Sequence, residues 1–412
     1  MLLRPKTGFV LICVFLDALG IGLIIPVLPR LIGTLCASRD LQTWWYGAIM
    51  LSYGLMQFVS SPLLGALSDK LGRRPVLLMG ILGLGLTFAV PAFCASLPLI
   101  LASRILGGAL SANTAVAQAY ISDITQGKER TMMFGRLGAV FGIGLILGPA
   151  VGGITGQANP SVPFLIASVL ALVNFLYGAL LLPESLSTEK KSPRSFTTLN
   201  AFFTLPHLLR SEQSRPFFIV FGLTALANSL LQCTWALYAE FRYSFSPLAI
   251  GLSIFALGAS ISFIQGFALK PLLQHRSASQ IIIVSLCASI LCLLGMALTP
   301  CGVIAVIFCC AYSVGGTVGP ILTSAISCAS QNCDQGKNIG ALNSLGALMG
   351  AIAPALGTPL LTFVIRNDAG ILAGAPYFTC AFLVFCALFF FLKRGSRQID
   401  TLDKKAYSSQ PC

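Results

Sequence analysis

Charge is scarce in this sequence. Lysine, arginine, aspartate and glutamate together supply 9% of the 412 residues while hydrophobic residues supply 56%, a balance that excludes a domain dispersed in water. Histidine is scarcer still. Only His207 and His275 occur, both in or beside polar connections, and no cysteine or histidine spacing matches a metal site, so neither a catalytic histidine nor a metal is expected. No phosphate loop of the Walker type is present, which argues against ATP as a source of energy. No stretch alternates apolar and polar residues over the roughly 10 positions of a membrane barrel strand. The first apolar run lacks a small-residue cleavage site and is too long for a signal peptide, so it is expected to stay as a membrane span.

What the chain does have is apolar runs of about 20 residues, the length a helix needs to cross a hydrocarbon core about 30 Å thick. Twelve are expected, over 8–32, 45–67, 75–96, 98–122, 133–156, 162–183, 216–239, 249–270, 279–298, 301–326, 339–363 and 375–393. The fold class is therefore an all-α membrane protein with the lipid bilayer as its solvent. Fourteen cysteines would suggest a disulfide framework in a small secreted protein, but Cys13, Cys233, Cys287, Cys309 and Cys310 fall within spans and read as small apolar fillers.

The net charge of +13 would point to nucleic acid in a soluble protein, and its distribution removes that partner. If both termini share one side, 21 of the 26 basic residues lie on that face, against Arg30, Arg39, Arg242 and Arg366 on the other and Arg104 within a span. The excess of positive charge then places both termini in the cytoplasm.

The polar stretch 184–215, with Lys190, Lys191, Pro193 and Arg194, divides the chain into six spans and six spans. The expected organisation is an N-terminal bundle 1–183, a cytoplasmic linker 184–215, a C-terminal bundle 216–393 and a cytoplasmic tail 394–412. A weak internal repeat supports the division. Ile121, Ser122, Gln126, Gly127, Lys128 and Gly135 return as Ile326, Ser327, Gln335, Gly336, Lys337 and Gly340, offset by 205 to 209 positions. Two parallel six-helix halves around a site near the bilayer midplane form a transporter architecture.

Between the second and third spans stands Gly65-Ala66-Leu67-Ser68-Asp69-Lys70-Leu71-Gly72-Arg73-Arg74-Pro75. One reading is a basic loop on the cytoplasmic face. The spacing adds another: Gly65 admits a neighbouring helix, Gly72 permits a tight turn, and Asp69 lies four residues before Arg73, which pairs them if the turn is helical. Asp123 and Arg130, at and beyond the cytoplasmic end of the fourth span, are candidates for the same network, a cytoplasmic gate. The fifth span carries Gly144, Gly148, Pro149, Gly152, Gly153 and Gly156, four of whose glycines recur every four residues along one helix face. Such a stripe permits close helix packing.

The loop from Gly65 to Arg74 resembles the signature loop of the major facilitator superfamily, and the fifth-span glycines resemble the antiporter motif of that family's drug exporters. Leu16-Asp17-Ala18-Leu19-Gly20-Ile21-Gly22 through Pro29, Tyr46-Gly47, Met56-Gln57-Phe58, Tyr120 through Thr125, Pro183-Glu184-Ser185, and Trp235, Glu240, Arg242, Ile250, Gly251 and Ser253 look like the tetracycline exporters of the drug:proton antiporter branch. The resemblance implies two pseudo-symmetric bundles, a bacterial inner membrane location, a monomer, and exchange of a small molecule for protons with no cofactor. The chain departs from those exporters around Thr87 and Ser289, where they would carry an acidic residue in the third and ninth spans.

Of thirteen acidic residues, only Asp17 lies deep in a span, about 14 Å from its cytoplasmic end at 1.5 Å per residue. An aspartate there costs about 2.5–3.5 kcal/mol, which makes it a functional candidate. One reading is a proton-binding group; the other is a structural carboxylate serving backbone freed by Pro26 or Gly20. Arg104 lies within roughly 7 Å of the same depth. A salt bridge made and broken with protonation would couple proton binding to movement, whereas a permanent pair would merely neutralise both charges. Gln57, Asn113, Gln118, Gln232 and Trp235 are candidates for contact with a small-molecule substrate, or for hydrogen bonds between helices. The expected function is proton-coupled export, with a nutrient or metabolite carrier and a non-transporting membrane sensor as alternatives.

Overall fold

The computed structural model describes residues 7–111, 113–125, 127–185, 215–268, 271–272, 276–329, 335–367 and 373–395. Most of these residues are helical, with no strand among them. Eleven helical stretches are long and apolar enough to cross a membrane, and a shorter apolar helix, Pro247–Phe263, continued by a π-helical turn Ile264–Ala268, supplies the eighth of the twelve expected spans.

The first span is two helices, α1 (Thr7–Ile24) and α2 (Leu28–Leu35), because Pro26 has no N–H to continue the ladder and Pro29 suits a first turn. The second is α3 (Arg39–Leu71), started by Ser38, whose hydroxyl accepts from the Leu41 N–H at 3.2 Å. Its 33 residues reach about 50 Å, more than a hydrocarbon core requires, so one end projects into the aqueous boundary. The third, fifth and sixth spans are α4 (Arg73–Phe93), α7 (Gly127–Thr155) and α8 (Val162–Leu181). The fourth is interrupted: α5 (Leu97–Leu110) stops before Ser111, and α6 (Asn113–Ile124) restarts two residues later.

The remaining spans are α9 (Arg215–Tyr243), α10 (Pro247–Phe263), α11 (Ala278–Leu298), the pair α12 (Gly302–Tyr312) and α13 (Val318–Ala329) joined by a 3-10 segment Ser313–Thr317, α14 (Gln335–Asn367) and α15 (Ala375–Phe390). The tenth span is thus interrupted as the fourth is.

Contacts divide the chain into two units. One is Met1–Thr198 with Phe245–Phe255, the other Leu199–Ser244 with Ala256–Cys412. In the first unit α1 packs on α7 and α8, α4 on α8, and α3 on α5. In the second, α9 packs on α14 and α15, and α11 on α15. Spans one, three, five and six therefore pack among themselves as spans seven, nine, eleven and twelve do, which gives the faint sequence repeat a structural counterpart. The interrupted spans repeat too. Gln57 of α3 donates to the Ser111 carbonyl at 3.4 Å, and Gln265 donates to the Gly316 carbonyl at 3.1 Å. A backbone carbonyl freed in a broken transmembrane helix needs such a partner.

The core of the first unit is formed by Val10, Cys13 and Val14 of α1, Leu77 and Ile81 of α4, and Tyr120 and Ile121 of α6. The Tyr120 hydroxyl, buried among them, donates to the Pro183 carbonyl at 2.9 Å and ties α6 to the end of the sixth span. Of the expected linker only Glu184, Ser185 and Arg215 are described; the expected tail lies outside the described residues apart from Arg394 and Gly395.

Candidate functional site

Two clusters of polar groups stand out in the first unit. The outer one is built around Arg73, which is 9% exposed. Its Nη2 pairs with Asp69 at 2.6 Å, its Nε with Asp123 at 3.0 Å, and its Nη1 donates to the Ser68 hydroxyl at 2.7 Å. One guanidinium thus holds the end of α3 to the end of α6, using a planar fork that a lysine lacks. Asp69 and Arg73 do pair, but not across a continuous helical turn as the spacing suggested. Gly72 separates two helices with φ +111°, in a region essentially reserved for glycine.

Sequence reasoning missed the role of Glu184, just beyond the sixth span. Its carboxylate accepts from the backbone N–H of Arg73 at 2.9 Å and of Arg74 at 3.2 Å, and so caps the first turn of α4, where free N–H groups and the helix dipole favour an anion. Ser185 completes the arrangement by donating to Asp123 at 3.2 Å. An acidic residue just after a span was the available signal; its target could not be read from spacing 110 residues away. A Cβ at Gly72 would meet the Glu184 carboxylate. Gly72→Ala is therefore expected to cost about 1–3 kcal/mol in backbone strain alone and to displace the cap, measured as a lower melting temperature of the purified protein; an unchanged value would show that neither constraint operates.

Within its own bundle Gly65 behaves differently from the expectation of close approach: a Cβ there would meet nothing within 4 Å. Arg130 lies in α7, and its side chain is outside the described residues.

The glycine stripe of α7 does meet a neighbour. A Cβ on Gly144 would stand 2.8 Å from the Phe15 carbonyl oxygen, one on Gly148 would stand 2.6 Å from the Gly22 Cα, and one on Gly152 would collide with the Leu23 carbonyl. These glycines bring the α7 backbone against that of α1, the helix that carries Asp17. Gly153, beside the stripe, faces Pro247 and Leu248, and a Cβ on Gly251 would run into the carbonyl of Pro149. This accounts for the grouping of Phe245–Phe255 with the first unit.

The inner cluster lies at the interruption of the fourth span. The Asp17 carboxylate, only partly exposed, accepts a hydrogen bond from the Asn113 amide at 3.0 Å. Tyr53 and Ser111 share a hydroxyl hydrogen bond of 2.9 Å, and Gln57 donates to the Ser111 hydroxyl at 3.1 Å. Asp17 makes no ion pair with Arg104 in this structure. Arg104 is 4% exposed and places its guanidinium carbon 5.2 Å from the Phe88 ring centre and 5.7 Å from that of Phe164, with Nε and Nη2 lacking hydrogen-bond partners among the described residues. Depth along the membrane normal sets height alone, and packing turned this side chain toward the rings. Cation–π attraction compensates part of the lost solvation.

Of the other candidates, Gln118 and Gln232 are exposed, and Trp235 is 2% exposed with its ring 6.4 Å from that of Tyr377. Trp235 is thus part of the core of the second unit. Thr87 and Ser289 are buried hydroxyls that donate within their own helices, to Leu84 and Ser285.

The chain matches the family model described as "Major Facilitator Superfamily" over residues 10–354. It is 33% identical to "Tetracycline resistance protein, class C" of Escherichia coli, over 89% of this chain and 93% of that protein. It is 35% identical to "Tetracycline resistance protein, class D" of Salmonella ordonez, over 84% of this chain and 87% of that one. Among solved structures, the "human organic anion transporter MFSD10 (TETRAN)" shares 25% identity with a TM-score of 0.68, covering 94% of this chain and 100% of its own.

Proposed function

Because this chain belongs to the major facilitator superfamily, and is thus a secondary active transporter with the fold of that family, we propose that it exports a small amphipathic molecule in exchange for protons, with Asp17 as the proton carrier. The tetracycline resistance proteins among its relatives support export as the direction and a drug-like molecule as the cargo. The observation that carries the proton assignment is the Asp17 carboxyl held by a neutral amide, with no cation paired to it among the described residues. A carboxyl within a span that is not locked to a cation can change its protonation as its access changes, which is what a proton carrier requires. Arg104 makes no ion pair with Asp17 here and stands against the Phe88 and Phe164 rings. Asp69, Arg73 and Asp123, with Gly72, Arg74 and Arg130, act as the cytoplasmic gate, since ion pairs at a mouth can form in one state and part in the other. The protein works as a monomer in a bacterial inner membrane, with both termini cytoplasmic.

The test is flux through purified full-length protein in liposomes with an acidic interior and an internal pH dye, tetracycline being the probe added outside. The expected result is tetracycline-dependent loss of the pH gradient. Absence of proton flux with tetracycline and with a panel of cationic and zwitterionic amphipaths would reject proton-coupled drug export.

A second reading, carriage of an organic anion, is favoured by one observation: the buried Arg104 guanidinium faces rings and no carboxylate among the described residues. Proton movement elicited by an aromatic carboxylate, and not by tetracycline, selects that reading.

A further inference from the structure

Asn113 opens α6 immediately after the interruption of the fourth span, and it is 5% exposed. Its amide nitrogen donates to Asp17 at 3.0 Å. Its amide oxygen lies against Gly80 of α4 so closely that a Cβ at Gly80 would collide with it. Leu110, the last residue before the break, fills the equivalent space over Gly83, where a Cβ would collide with its side chain. Two glycines of α4 thus receive the two sides of the break, while Tyr53 and Gln57 hold Ser111 from α3. The break is braced on both flanks, and the residue it delivers to Asp17 is Asn113.

From these contacts we infer that Asn113 is the positioning residue of the coupling carboxyl, wedged by Gly80 so that its amide orients Asp17 in both the ionised and the neutral form. The inference rests on the assignment of Asp17 as the proton carrier. The amide N–H serves both forms, because it donates to a carboxylate oxygen and to the carbonyl oxygen of the neutral acid, while the amide oxygen stays against Gly80. A guanidinium, being charged, would favour the ionised form much more strongly and hold Asp17 in it. Because the bond to the ionised form is the charge-assisted and stronger one, Asn113 also sets the pH at which Asp17 exchanges its proton.

Other groups around Asp17 are few among the described residues. The Cys13 thiol on α1 and the Tyr53 phenol from α3 are the titratable groups in electrostatic reach, with Arg104 of α5 acting on Tyr53 from beyond it and Tyr177 of α8 reaching Cys13. The residues that α4, α7 and α8 bring against α1 near this level, Phe88, Gly144, Gly148, Ala167 and Asn174, are uncharged.

The experiment is an infrared pH titration of the protonated carboxyl band in full-length protein in lipid nanodiscs, with the proton itself as the probe. Asp17→Asn identifies the band. Losing the charge-assisted bond in Asn113→Ala is expected to raise the midpoint by about 1 pH unit. Gly80→Ala, which pushes the amide aside and leaves both polar residues in place, is expected to move it in the same direction. Gly138→Ala, at a position with nothing within 4 Å, is expected to leave it unchanged. An Asp17 band whose midpoint is the same in wild type, Asn113→Ala and Gly80→Ala overturns the positioning role while the proton carrier survives. Should Asp17→Asn remove no titrating band, the carrier assignment fails and the positioning role falls with it.

Discussion

Asp17→Asn is expected to eliminate accumulation driven by a pH gradient. For exchange of one proton per molecule, a gradient of about 2 pH units stores about 2.7 kcal/mol, enough for roughly 100-fold accumulation inside an acidic vesicle. With asparagine at position 17 the side chain keeps its size and polarity, but it has no group to carry the proton. Accumulation should fall to about the external concentration, while counterflow of labelled against unlabelled cargo persists, because that exchange needs only alternating access. Asp17→Glu restores a carboxyl, displaced by one methylene from the Asn113 amide, and should recover part of the accumulation. The bond to Asn113 makes the experiment discriminating: a purely structural carboxylate would be replaced by asparagine with modest loss of stability and no loss of coupling. Retention of full gradient-driven accumulation in Asp17→Asn would remove the proton carrier from the account.

The second large effect concerns the close packing of α1 and α7. At Gly152 a Cβ would overlap the Leu23 carbonyl, and at Gly148 it would press on the Gly22 backbone. The obstacle is main chain in both cases, so no side-chain rotation can make room. Gly152→Val should therefore force the helices apart along their whole contact and exceed the about 1–3 kcal/mol typical of an overpacked core. The expected observation is a sharp loss of monodisperse protein after detergent extraction and a lower melting temperature in what remains. Gly142→Ala, with nothing within 4 Å, provides the matched control on the same helix. Wild-type yield and stability for Gly152→Val would mean that α1 and α7 do not rely on backbone contact. The same geometry gives the stripe a functional consequence. It seats the helix bearing Asp17 directly on α7, so any tilt of α7 is felt at the carboxyl.

Some of the site was legible in the sequence and some was not, for physical reasons that differ from residue to residue. Asp69 and Arg73 could be paired because they are four residues apart, although the turn joining them proved to be a glycine break. Asp123 joined them at 3.0 Å, as expected of a carboxylate at the same membrane level. Glu184 escaped because its partners are backbone N–H groups, which leave no trace in the identity of the residues that carry them. Asn113 is, in sequence, either a cargo contact or a bond between helices; its amide is turned to Asp17. Arg104 had the right depth for Asp17 and the wrong direction. Tyr53 and Ser111 drew no notice, since nothing in the run Leu97 to Ile124 announces that the helix stops in its middle.

By itself the sequence determined the solvent and the helical class, because each follows from the cost of placing polar groups in hydrocarbon, a cost summed along the chain and independent of neighbours. It also determined which few residues were expensive enough to need a purpose, Asp17 and Arg104 above all. Only the tertiary structure decided how those residues are paired. A helix sequence specifies height and face in its own frame, whereas the partner of a buried group depends on how neighbouring helices are rotated and where they break. Those choices are made by contacts such as Asn113 on Gly80 and Gly152 on Leu23, in which the deciding atoms are backbone and the deciding property is the absence of a side chain.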